Sequence, residues 1–121
     1  MAMAWPDVRR RITAVLPGRA ILKCDGIGSR PVTSNDSAAI SMRTGVKTAQ
    51  TKAISYEMLE YALAVLNQTG RFTSADFRRQ FGNEYTAAPC RFSMTGGVLV
   101  AIGSATLVPG KREGNCTYEL A

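Results

Sequence analysis

The seven residues GRFTSAD, Gly70 to Asp76, carry two opposite signals side by side. Gly70 takes at little cost the left-handed conformation that closes a helix. Thr73, followed three residues later by Asp76, is close to a capping box that opens one. Two helices therefore meet here, with Arg71-Phe72 between them as a short extended link. Upstream, Ser55 is a good N-cap and Glu57 sits where the helix dipole favours a carboxylate. Leu59, Ala62, Leu63 and Leu66 recur at helical spacing, with Met58 and Val65 widening the stripe.

Downstream, the second helix is predicted to be short, ending near Phe81-Gly82, with Phe77 and Phe81 on its buried side. Residues 83–88 read as a turn. Pro89 suits the start of a third helix, with Phe92, Leu99 and Ile102 near one face. Gly96 and Gly97 each weaken that helix by about 1 kcal/mol relative to alanine, and mid-helix glycine often marks close approach of another backbone. Gly103 ends the helix. ATLV (105–108) and CTYEL (116–120) then form a hairpin, with the polar run PGKREGN at its tip.

The first half reads as a smaller unit. Trp5-Pro6-Asp7 opens a helix whose apolar stripe is Val8, Ile12, Val15 and Leu16, and Pro17-Gly18 stops it. RAILKC (19–24) reads as a strand, residues 25–37 as a loop, and AAISMRT (38–44) as a second strand. The two strands are expected to pair through that long connection, and residues 45–51 read as another polar stretch. The expected fold class is α+β. Residues 1–52 form a basic helix-plus-hairpin part and residues 53–121 a three-helix-plus-hairpin part.

Charge is distributed unevenly. The 121 residues carry a net +6, with pI near 9.7. Residues 1–54 hold nine basic and three acidic side chains, whereas residues 55–121 hold six of each. This imbalance favours an acidic partner such as nucleic acid. No apolar run approaches the roughly 20 residues of a membrane span, and the N-terminus lacks a secretory-signal pattern, so a cytoplasmic protein is expected. Histidine is absent, which removes the usual general base and the commonest metal ligand. Cys24, Cys90 and Cys116 match no metal-ligand spacing and are expected as separate thiols. No metal and no cofactor is expected, and no catalytic role.

The order of elements from Ser55 onward resembles the winged helix-turn-helix superfamily. GRFTSAD and ATLV-PGKREGN-CTYEL carry the resemblance over roughly residues 53–121. It implies double-stranded DNA as partner, with the third helix in the major groove and the hairpin as a wing on the backbone. Arg91, Ser93 and Thr95 would then meet base edges, and the helix start near Pro89 and Cys90 would face a phosphate. Lys111 and Arg112 at the wing tip would contact backbone. Arg78 and Arg79 on the short helix form a solvated face that can lie over a phosphate strand. Arg9 to Arg11, Lys23, Arg30, Arg43, Lys47 and Lys52 in the basic half would clamp further phosphates.

The implied function is that of a small bacterial or phage regulator of transcription, or a DNA-recognition module of a larger system. Recognition of symmetric sites would use a homodimer. The competing reading is a protein-interaction module, such as a phage-encoded inhibitor of a host nucleic-acid-handling complex. It follows from the neutral charge of residues 55–121 and from the glycines inside the third helix.

Overall fold

Helix α1, Trp5–Val15, begins with a proline in its first turn and Asp7 beside it. Both suit a helix start, because the missing N–H is unsatisfied there anyway and the dipole favours a carboxylate. Val8, Ile12 and Leu16 are fully buried. The computed structural model describes residues 3–16, 18–36, 38–44, 50–110 and 115–121. The protein is α+β, as expected.

After α1 come four strands: β1 (Ala20–Leu22), β2 (Ser29–Asn35), β3 (Ala39–Arg43) and β4 (Thr51–Ser55). They form one antiparallel sheet in the order β1-β2-β3-β4. Two expectations are corrected here. The stretch read as a loop over 25–37 contains β2; of the polar stretch read over 45–51, residues 45–49 lie outside the described residues and Thr51 opens β4. The two predicted strands therefore do not pair with each other but flank β2. SRPVTSN hides its strand character because Pro31 lacks an N–H and its apolar residues do not alternate. Its register also shifts between Val32 and Ser34.

Helix α2, Tyr56–Thr69, is capped as expected: Ser55 Oγ accepts from Met58 N, and Gly70 at φ 79° closes it. β5 (Arg71–Phe72) follows, then α3 (Ser74–Ala87), whose capping box uses Thr73 and Asp76 reciprocally. Phe81 has non-helical dihedrals (φ −126°, ψ 49°), so the predicted stop there is a kink. The helix resumes through the residues read as a turn and ends at Ala87. α4 runs Cys90–Ala101, and β6 (Ala105–Val108) and β7 (Thr117–Leu120) form the closing hairpin. β5 pairs with β7, giving a second sheet in the order β5-β7-β6.

α4 lies at the centre of the molecule. Phe92 to Leu99 are buried without interruption. A Cβ on Gly96 would fall within the Tyr118 ring, and one on Gly97 would strike Ile21 Cγ2 and approach Leu22 O. The glycines thus let α4 touch β7 on one side and β1 on the other. Phe72, Phe77, Phe92 and Tyr118 form an aromatic cluster, with the Phe72–Phe92 centroids 5.3 Å apart and Phe92–Tyr118 5.5 Å apart. Such pairs add about 0.5–1.5 kcal/mol beyond their burial. One core cluster takes Val8, Ile21 and Ile40 together with Leu59, Phe72 and Leu99. The boundary expected between residues 52 and 53 falls inside β4.

Ser104 gathers segments from both ends of the chain. Its hydroxyl donates to Met3 Sδ (3.2 Å), and its carbonyl accepts from Ala121 N (3.2 Å). Among the described residues, no helix is long and apolar enough to cross a membrane.

Candidate nucleic-acid interface

The packing of α4 decides what the residues expected on it can do. Ser93 is fully buried; its hydroxyl accepts from Arg30 Nη1 (2.9 Å) and donates to Cys90 O (3.1 Å). Thr95 is also fully buried and donates back to Arg91 O (2.8 Å). Arg91 is half-buried, its Nε donating to Ala53 O (3.0 Å) and its Nη1 to Glu84 O (3.2 Å). The expectation that these three side chains meet base edges is therefore corrected: two face the core and the third binds β4 to α3. α4 packs against β1 and β4 of the first sheet and against β6 and Tyr118 of β7, so protein covers it on these sides. Arg30, expected as a phosphate clamp, is likewise buried at 5% exposure beneath α4.

Other basic residues do face outward. Arg78 and Arg79 are exposed on α3, Arg78 with its guanidinium 5.3 Å from the Tyr85 ring centroid and Arg79 3.5 Å from Asp76. Arg43 is exposed at the end of β3, while Lys52 on β4 is half-buried. Arg9, Arg10 and Arg11 are exposed on α1. Arg10 pairs with Asp7, Arg9 stands 5.0 Å over the Tyr56 ring, and Arg11 donates to Ile102 O. Lys47, Lys111 and Arg112 lie outside the described residues.

The β1–β2 turn meets the base of the β6–β7 hairpin at one end of the molecule, an arrangement that nothing in the sequence announced. The β1–β2 turn is fixed by Asp25, whose Oδ1 accepts from Ile27 N (2.8 Å) and Gly28 N (3.0 Å). Those two N–H groups hold its carboxyl below the usual carboxylate range, with Lys23 adding a smaller lowering. Lys23 N donates to Gly28 O and Gly26 N to Lys23 O, and Gly26 sits at φ 74°. Its flank lies against the β6–β7 hairpin, since a Cβ there would be 3.2 Å from Pro109 Cγ. Gly110 N donates to Cys24 O (3.0 Å).

Cys24 and Cys116 are joined in a disulfide with Cα atoms 5.3 Å apart, which corrects the expectation of three separate thiols; Cys90 is free. Their 92-residue separation gave no local hint of the pairing.

A second feature is a polar cleft of about 330 Å³ lined by Arg9, Thr13, Asn35, Asp36 and Tyr56. The Tyr56 hydroxyl donates to Asn35 Oδ1, and burial raises its pKa. Asp36 is held low by the N–H groups of Ala38 and Ala39. Among the described residues, no three His, Cys, Asp or Glu side chains gather as metal ligands.

No protein-family model, curated protein or solved structure matches the chain.

Proposed function

We propose that the chain is a non-catalytic module that binds duplex DNA, and that residues 56–121 are a winged helix whose third helix has been covered. The observation that carries this is the element order α2-β5-α3-α4-β6-β7 with strand order β5-β7-β6. Helix, short extended link, second helix, third helix and closing hairpin follow one another in the order on which the winged-helix resemblance rests. The net charge of +6 supports an acidic partner. Binding then rests on phosphate contacts from outward-facing arginines, with Arg78, Arg79, Arg43 and the α1 arginines as donors. α4 serves as the core on which the unit is built.

The test is fluorescence anisotropy on a duplex of mixed sequence across salt. With four to six phosphate contacts, affinity should fall by roughly 10²–10³ between about 50 and 200 mM salt. Arg78→Ala with Arg79→Ala, and separately Lys111→Ala with Arg112→Ala, should each flatten the salt slope by about one for every phosphate no longer neutralised. Absence of binding at the lower salt overturns the reading.

The competing function, a protein-interaction module, draws on a specific observation: the helix that would read bases is enclosed. A stable protein partner recovered by pull-down, together with no DNA shift, favours it.

A further inference from the structure

The polar cleft is assembled from three separate segments. Arg9 and Thr13 come from α1, Asn35 and Asp36 from the end of β2 and the residue after it, and Tyr56 from the first position of α2. Its neutral groups are already engaged with one another and with the backbone. The buried Tyr56 donates to Asn35 Oδ1, and Asn35 Nδ2 donates in turn to Ile12 O (3.4 Å). Thr13 Oγ1 donates to Arg9 O (3.1 Å). Recognition of a ligand therefore falls to the two charged groups, one guanidinium and one carboxylate.

Both are positioned before any ligand arrives. The Arg9 guanidinium stands 5.0 Å over the Tyr56 ring centroid, a contact that fixes the plane of a fork carrying five N–H donors. Asp36 accepts from Ala38 N (2.8 Å) and Ala39 N (2.9 Å) on one oxygen, Oδ1. Among the described residues no hydrogen bond or ion pair reaches its Oδ2. The same two N–H groups keep this carboxyl below its ordinary range, so it is an anion at neutral pH. Groups held in place in this way lose less entropy when a ligand binds.

We propose that the cleft binds a small zwitterion of the free α-amino acid class, its carboxylate on Arg9 and its ammonium on Asp36. Guanidinium and carboxylate pair through two parallel hydrogen bonds, and a carboxylate oxygen accepts strongly from an ammonium. The opposed charges work against simpler occupants. A phosphate or a nucleic-acid strand would meet the Asp36 carboxylate, and a bare cation would meet Arg9. A molecule that is neutral overall but carries both charges satisfies each wall. The volume of about 330 Å³ lies at the low end of ligand sites, which suits an amino acid rather than a large cofactor. The proposal is independent of DNA binding and adds a ligand to the chain.

The experiment follows amide resonances of the intact protein during titration with L-alanine to about 10 mM, tenfold above a millimolar Kd. N-acetyl-L-alanine, which lacks the ammonium, and L-alaninamide, which lacks the carboxylate, are titrated in parallel. L-alanine should shift the Thr13, Ala38 and Ala39 resonances saturably, and each analogue should bind at least about tenfold more weakly. Arg9→Gln and Asp36→Asn should each weaken L-alanine binding by a similar factor. The asparagine keeps a side-chain oxygen for Ala38 and Ala39, so amide positions outside the cleft should stay native and separate lost binding from lost structure. Equal affinity for all three compounds overturns the zwitterion. Saturation that survives both substitutions places the site elsewhere and overturns the proposal, as does the absence of any saturable shift.

Discussion

At the scale of single residues, Asp25 ties chemistry to shape most directly. Its carboxyl is held below its ordinary value of 3.8 by the N–H groups of Ile27 and then Gly28. A carboxyl depressed in the folded state stabilises it above the unfolded value, and that stabilisation is lost as pH falls through the folded value. Asp36 behaves in the same sense through Ala38 and Ala39. Urea midpoints should therefore be insensitive to these groups near neutrality and decline once pH drops below about 3.8. Asp25→Asn should make that acid limb shallower; an identical limb would mean the carboxylate does not hold the turn.

At the scale of elements, the caps were legible and the burial was not. Ser55, Gly70, Thr73 and Asp76 marked helix ends correctly because each acts on its immediate neighbours through a backbone group. β2 was not legible because its strand character comes from the partners on either side of it. The enclosure of α4 does leave a trace in the sequence. Met94, Val98, Leu99, Val100 and Ala101 with Phe92 make the helix apolar around most of its circumference, the pattern of a buried helix. The glycines were legible as a close approach, and their partners emerged only in three dimensions.

Gly96 makes that packing testable. Alanine is the better helix former by about 1 kcal/mol, yet its methyl would invade the Tyr118 ring. Overpacking of this kind costs about 1–3 kcal/mol, so Gly96→Ala should lower stability by urea titration. An unchanged or raised midpoint would show that α4 and β7 can part without penalty.

At the scale of the whole molecule, the Cys24–Cys116 disulfide ties the first sheet to the last hairpin across 92 residues. Closing a loop of that length restricts the unfolded chain by about 4–5 kcal/mol in the chain-entropy account. Cys24→Ser should lose stability of that order, and a reducing agent should reproduce the loss in the native protein but not in the variant. Equal unfolding midpoints with and without reductant would argue that the two thiols are not joined. In a reducing compartment such bonds rarely persist, and the tie between the β1–β2 turn and the hairpin would then rest on Gly110–Cys24 hydrogen bonding and on Pro109 against Gly26. Fold class was readable from the sequence because it depends on the order of elements. The contacts that join the two parts were not, because they link residues as distant as Ile21 and Gly97.

Ser104 holds Met3 and Ala121 beside the Ala105–Leu120 end of the closing hairpin, while Val108 and Thr117 lead away toward the β1–β2 turn. Any tether, dye or second domain spliced onto either extremity would accordingly depart from one pole of the molecule. The opposite pole, where the β1–β2 turn meets Pro109 and Gly110, would stay clear of such an attachment.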